Sequence, residues 1–412
     1  MWNLRTRVLD RGYKHGGGRI DMALKRIGVE GSFAMAEAVK LARVEAVAAY
    51  PITPQTHIVE RLAEFVANGE MDAEYIPVES EHSALSACLG TSAVGARTFT
   101  ATASQGLELM HEVLYVASGL RLPIVMAVAN RALSAPLSIW TDHSDVMAAR
   151  DCGWIQIFAE NAQQAFDLTL CAFRIAEDPT VLLPTMVNID GFYVSHTIEP
   201  VQFLEQEAVD KFLPEYHYPY PLNPDKPVTM GAFGPPFIYT EAKKAHEVAL
   251  KGSKKVILQV WKQFGKISGR HYSPVESYKT EEADVLLLCM GSFSETAMMA
   301  IDKMQAEGQK VGLIRLRLWR PFPFDELRKS VSKARVLIIL DRALSLGSMP
   351  PVASEIQAAL YPLKTRPKVI SYVGTLGGRE ISAQGFEELI HRGVDKAKGG
   401  KIDEFEMIGV RE

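Results

Sequence analysis

Residues Leu122 to Ala129 read LPIVMAVA, eight apolar residues without a break. A strand with one wet face alternates; an unbroken run of this length marks a strand covered on both faces. It falls well short of the roughly 18 residues that a membrane-crossing helix needs, and no other apolar run in the chain approaches that length. Similar runs recur at Ala46–Tyr50, Asp284–Met290 and Val336–Asp341. Between them, apolar residues return at helical spacing, as in Ile58, Leu62, Phe65 and Val66. Strands that alternate with helices in this way argue for doubly wound parallel sheets of α/β class.

The chain has 412 residues, more than one ordinary core accommodates. Residues 1–25 carry Arg5, Arg7, Arg11, Lys14 and Arg19 around a Gly16–Gly18 hinge and no apolar leader core. They read as a disordered basic arm, or as the result of a start codon placed upstream of the true one at Met22, with an organellar transit peptide as a further alternative. A first α/β domain is expected over 26–200 and a second over 283–400. The segment 201–282 between them is rich in proline (Pro214, Pro219, Pro221, Pro224, Pro227, Pro235, Pro236). It reads as an irregular connector with one helix near Tyr239–Lys251 that straps across a neighbour. Net charge is −4, which leaves no basic footprint for nucleic acid and no polybasic membrane patch. Cys88, Cys152, Cys171 and Cys289 are scattered with no C-x-x-C. That spacing suits neither an iron–sulfur cluster nor structural zinc, and free thiols fit a reducing cytoplasm.

In open α/β sheets, ligands sit beyond the carboxyl ends of the strands. Four such ends carry polar residues. The strand at Ala46–Tyr50 runs into Pro51-Ile52-Thr53-Pro54, where two prolines forbid a helix and leave one hydroxyl, Thr53, on a stiff loop. A short strand at Tyr75–Val78 leads into Glu79-Ser80-Glu81-His82 and a helix of small residues. The β-rich run Arg97–Ala103 ends at a turn, Ser104-Gln105-Gly106. Leu122–Ala129 ends at Asn130-Arg131, ahead of a polar loop with Asp142 and His143. Gly374–Gly378 is rich in glycine but lacks the order of a nucleotide-binding loop.

YPITP, ESEHSA, TATASQGLELM, ANRALSAPLSIWTDHSDVMAARDCGW and DGFYVSH follow one another in this order. Together they resemble the α subunits of 2-oxoacid:ferredoxin oxidoreductases, most closely those acting on pyruvate, over nearly the whole chain from about residue 27. The resemblance implies a thiamine-diphosphate pyrimidine-binding-type domain followed by a transketolase C-terminal-like domain. It implies CoA-acetylating oxidative decarboxylation of pyruvate, reversible as pyruvate synthesis, in a cytoplasmic complex. Glu81 matches the family's glutamate at the cofactor's aminopyrimidine N1′, where a partly buried carboxyl shares a proton; Glu79 is the reserve. Thr53 and Arg131 match the residues that hold the 2-oxoacid carboxylate. An arginine can form a bidentate pair with such a group. Pro51, Ile52, Ser104 and Gln105 would line the cofactor pocket.

Other readings stay open. Glu81 could be a helix-start charge favoured by the macrodipole, and Arg131 could make a structural ion pair with Asp142 or Asp145. The chain has no G-D-G; its single Asp-Gly is Asp190-Gly191, after Ile189. No metal ligands are expected here. The resemblance places Mg²⁺, the diphosphate grip and a [4Fe-4S] cluster on a β subunit. Further clusters and a CoA-related domain fall to γ and δ subunits or their fusions, with ferredoxin and CoA as co-reactants. The same chemistry on 2-oxoglutarate, a branched-chain or an aryl 2-oxoacid, and a non-catalytic scaffold, are the alternatives.

Overall fold

The computed structural model describes residues 26–399 and 402–411; the basic arm 1–25 lies outside the described residues. Two sheets dominate. The first has seven strands in the order Leu318–Arg320, Ile155–Phe158, Thr185–Asp190, Val125–Asn130, Thr98–Thr102, Ala46–Ala49, Glu74–Pro77. All neighbours are parallel except Leu318–Arg320, which pairs antiparallel with Ile155–Phe158. Val125–Asn130 and Thr98–Thr102 are buried throughout, as their unbroken apolar or β-branched character requires.

From Ala46–Ala49 the chain crosses to Glu74–Pro77 on one side, then returns to Thr98–Thr102 on the other. That reversal is the topological switch point, where a crevice opens beyond the strand ends. Helices cover both faces. Gly31–Leu41, Thr56–Ala67 and Ala162–Ala176 pack on one; Glu81–Ala93, Ser104–Leu109 and His111–Gly119 contribute to a second apolar cluster on the other. Asn161 caps Ala162–Ala176, its side chain accepting the Gln164 N–H at 2.9 Å.

The second sheet runs Glu406–Met407, Lys368–Val373, Val336–Asp341, Val285–Cys289, Val311–Leu316, Val275–Tyr278. Only Val275–Tyr278, at its edge, is antiparallel. Phe293–Ala306 and Ala383–Gly399 cover one face and Pro351–Leu360 the other.

The connector is not mostly irregular. Pro236–Ser268 is one helix of 33 residues, opened by Pro236 in its first turn and closed by Gly269 at φ +71°. Ile257, Val260, Trp261 and Phe264 recur at helical spacing and are buried in the first domain's core, so its second half belongs to that domain. The exchange runs both ways. Val275–Tyr278 joins the second sheet ahead of residue 283, and Leu318–Arg320 leaves the second domain to extend the first domain's sheet. Arg26–Glu30 pairs antiparallel with Ile198–Gln202 as a separate ribbon. Among the described residues no helix is long and apolar enough to cross a membrane.

Candidate functional site

Four adjacent parallel strands deliver the candidate residues to one edge. Ala46–Ala49 leads to Pro51–Thr53, Glu74–Pro77 to Glu81, Thr98–Thr102 to Ser104, and Val125–Asn130 to Arg131. The proline loop is tied down by Gln55, whose buried amide donates to Tyr50 O at 3.1 Å and Ala101 O at 2.8 Å. Pro51 and Thr53 remain exposed and Ile52 half-buried.

Arg131 reaches across to this loop. Its Nη1 donates to the Thr53 carbonyl at 2.9 Å and its Nε to the Ser138 carbonyl at 2.8 Å. Neither Asp142 nor Asp145 pairs with the guanidinium. Asp145 instead accepts the Arg131 main-chain N–H at 3.0 Å, and burial pulls the Arg131 pKa down, against the field of Asp145. Nη2 has no acceptor among the described residues.

Glu81 is the first residue of its helix, and Ser80 caps that helix by accepting the Ser83 N–H at 3.2 Å. The Glu81 side chain is 6% exposed and has no hydrogen-bond or ion-pair partner among the described residues. Gly106 leaves room for it: a Cβ there would sit 2.7 Å from Glu81 Oε1 and 2.5 Å from Thr102 Oγ1. The Thr102 hydroxyl is itself buried without a partner. Glu79 differs on both counts. It is exposed, its carboxylate accepts from the Ser83 hydroxyl, and that bond lowers its pKa.

Ser104-Gln105-Gly106 is not a free turn but the start of a helix, Ser104–Leu109, entered with Ser104 at φ +46°. The Ser104 hydroxyl has one proton for two acceptors, Ala132 O at 2.7 Å and Gln105 Oε1 at 2.6 Å. Its N–H donates to Asp145 Oδ2 at 3.0 Å. Asp145 also accepts from Asn130 Nδ2 at 3.1 Å and the Val146 N–H at 2.7 Å. Fully buried, it ties the Ser104 and Arg131 turns together. Burial pushes its pKa up to about 7, against the pull of those backbone donors.

Asp190 takes up the domain junction. It accepts from Arg342 Nη1 at 2.6 Å, Ser292 N and Oγ at 2.7 Å and Thr141 Oγ1 at 3.2 Å, and lies 3.0 Å from His143 Nε2. Arg342 holds the carboxyl well below the usual range despite burial, while burial and Arg342 lower the His143 pKa. His143 therefore belongs to the seam between domains. With these partners, the carboxylate of the lone Asp-Gly is already committed. Among the described residues no cluster of His, Cys, Asp and Glu could hold a metal ion. The four cysteines are buried and free, and burial pushes the Cys88 and Cys152 thiols up to about 12.

The residues fit one end of thiamine diphosphate. A buried carboxylate without a partner, at a switch-point edge, matches a polar ring nitrogen that would otherwise lack one. Gln55 and Asp145 support the site and were not singled out by sequence as site residues, whereas Gly106 closes the Ser104-Gln105-Gly106 turn that sequence placed at the cofactor pocket. Asp145 reads there only as a candidate ion-pair partner of Arg131, and Gln55 leaves no trace.

Residues 37–262 match the family described as pyruvate flavodoxin/ferredoxin oxidoreductase, thiamine diphosphate-binding. Residues 283–386 match pyruvate:ferredoxin oxidoreductase core domain II. Pyruvate synthase subunit PorA of Pyrococcus furiosus is 47% identical over 92% of this chain and 96% of its own length. PorA of Methanocaldococcus jannaschii is 49% identical over 93% and 98%. Ketoisovalerate oxidoreductase subunit VorA of Pyrococcus horikoshii is 45% identical over 91% and 95%. Among solved structures, a 2-oxoglutarate:ferredoxin oxidoreductase from Magnetococcus marinus aligns with TM-score 0.69 at 19% identity, over 90% of this chain and 65% of that one. A split-gene transketolase aligns with TM-score 0.52 at 12% identity, over 89% and 99%. These two carry the fold alone. The strand-end geometry, both family matches and relatives aligned nearly end to end agree: the chain belongs to the pyruvate:ferredoxin oxidoreductase family, as a subunit of the PorA type.

Proposed function

We propose that this chain is the α subunit of a complex that oxidatively decarboxylates pyruvate to acetyl-CoA with ferredoxin as acceptor, and runs the reverse synthesis. The observation that carries this reading is Glu81, a buried carboxylate with no protein partner at the switch-point edge. Bound thiamine diphosphate supplies the nucleophilic carbon and the electron sink for loss of CO₂. Glu81 holds a proton at its carboxyl oxygen against the pyrimidine N1′ and so sets the protonation state of that ring. Thr53 offers its hydroxyl to the substrate carboxylate, and Arg131 offers both Nη2 hydrogens and the second Nη1 hydrogen, because Nε and one Nη1 hydrogen are already spent on main-chain carbonyls. Pro51 and Ile52 line the ring's edge. Ser104 and Gln105 act from behind, through the helix start that carries Gly106.

The diphosphate, its Mg²⁺ and the [4Fe-4S] clusters belong to β, γ and δ partners. The commitment of Asp190 to Arg342, Ser292 and Thr141 supports that division. The edge with Pro51 and Thr53 faces solvent in the isolated chain and is the surface that the β subunit covers. A cytoplasmic setting follows from ferredoxin as partner. A branched-chain 2-oxoacid is the second reading, favoured by the VorA relative at 45% identity.

The test is Glu81→Gln in the reconstituted complex, assayed for ferredoxin reduction with pyruvate, 2-oxoisovalerate and 2-oxoglutarate in turn. The expected result is a fall in kcat of about 10²- to 10⁴-fold with pyruvate the preferred acid in the unaltered complex. Full turnover and unchanged thiamine affinity in Glu81→Gln would overturn the assignment.

A further inference from the structure

The glycine-rich loop 374–378 belongs to the second domain, yet its tip lies against the first domain's loop 138–142. The Gly378 N–H donates to Thr141 O at 2.6 Å, and the Gly377 N–H to Asp142 Oδ2 at 3.2 Å. The Gly378 carbonyl accepts from the Tyr193 hydroxyl at 2.8 Å. Gly378 adopts φ +75°, and a Cβ there would sit 2.6 Å from Trp140 Cβ; one on Gly377 would sit 3.4 Å from Ser138 Oγ. Only glycine satisfies both that backbone and that approach.

The loop so held is the one that holds Arg131. Ser138 O accepts from Arg131 Nε at 2.8 Å, and Trp140 O accepts from the Ala132 N–H at 3.0 Å. Asp142 fastens the far end, its Oδ1 accepting the Ser144 N–H at 2.9 Å and the Ser144 hydroxyl at 2.6 Å. A displacement of Trp140 therefore moves Ser138, and with it the acceptor that aims the guanidinium.

We propose that Gly377 and Gly378 are positioning residues for substrate: the second domain sets the aim of Arg131 through loop 138–142, with Asp142 as the link. This rests on Arg131 holding the substrate carboxylate. The geometry then gives the second domain a share in substrate affinity without contact with the substrate.

The experiment uses the assembled complex carrying Gly378→Ala. The pyruvate KM should rise about 10-fold, since sub-ångström misplacement of a binding group is costly, while kcat and thiamine affinity stay within about twofold. Trp140 emission, taken as the difference from a Trp140→Phe background, should shift. Gly347→Ala controls for backbone strain alone: Gly347 has φ +79° in the same domain, with nothing within 4 Å of a Cβ. It should leave KM unchanged. If Gly378→Ala does not assemble, Asp142→Asn decides, with a KM rise of the same kind. A raised KM in Arg131→Lys beside an unchanged KM in Gly378→Ala, or in Asp142→Asn where that variant decides, overturns this inference alone. An unchanged KM in Arg131→Lys overturns the substrate reading and this inference with it.

Discussion

Arg131 Nη1 and the Thr53 carbonyl meet at 2.9 Å across 78 positions of chain. Two residues chosen from separate motifs for one carboxylate are thus mutually positioned before any ligand arrives. Replacing Arg131 by Ala removes the tie to the proline loop and, on the proposed reading, the cation for the substrate carboxylate. Losing a hydrogen bond to a charged group costs about 1.5–3 kcal/mol, so kcat/KM for pyruvate should fall roughly 10- to 150-fold. Steady-state kinetics of the complex check it; a loss in thiamine affinity with no change in pyruvate KM would place the carboxylate clamp elsewhere.

Gly106→Ala tests the hollow in which Glu81 sits. The added methyl would meet Glu81 and Thr102 at 2.7 Å and 2.5 Å. Overpacking of this kind costs about 1–3 kcal/mol, and on the proposed role of Glu81 the displaced carboxyl should hold the cofactor less tightly. Thermal unfolding and a thiamine diphosphate titration of the complex should both register it. A wild-type titration would mean that the carboxyl relocates freely.

Asp341 gives a pH signature remote from catalysis. It is fully buried, accepts the N–H groups of Val352 and Ala353 at 2.8 Å and 3.0 Å, and burial raises its pKa from the ordinary 3.8 to about 7. The folded chain then keeps a proton that the unfolded chain has released. Its contribution is complete below about pH 4 and is lost as pH rises toward 7, by at most about 1.4 kcal/mol per unit. Asp341→Asn should flatten the dependence of Tm on pH across that window; identical slopes for both proteins would refute it.

Asp190→Asn tests the seam between the domains. It would strip the buried Arg342 guanidinium of its carboxylate partner, a loss of about 3–5 kcal/mol for a broken buried pair. Urea unfolding should show a lower midpoint. The pyruvate kinetics of whatever remains assembled should change less than in Arg131→Ala.

The sheets were readable because buried strands are apolar on both faces, as at Val125–Asn130 and Val285–Cys289. The strand ends were readable because prolines or polar residues interrupt those runs. What sequence hid depends on partners far along the chain. Leu318–Arg320 is three residues long and is a strand only through Ile157 and Gln156. Ser104–Gly106 reads as a turn until Asp145, 41 residues on, takes the Ser104 N–H. Asp145 itself reads as a candidate ion-pair partner of Arg131 until two turns converge on its carboxylate. The helix Pro236–Ser268 was obscured differently. Ile257, Val260, Trp261 and Phe264 form a legible stripe, but the prolines before it suggested irregular chain, although proline at a helix start is well tolerated.

The strand Leu318–Arg320 has a practical corollary for anyone dissecting this subunit. A fragment ending near residue 282 would strip Ile155–Phe158 of its outer neighbour and bare a row of main-chain donors and acceptors beside buried side chains. Such an unguarded border invites chains to stick to one another. The two halves are laced like a dovetail, and the lobe bearing Glu81 should stay in solution better with the other attached.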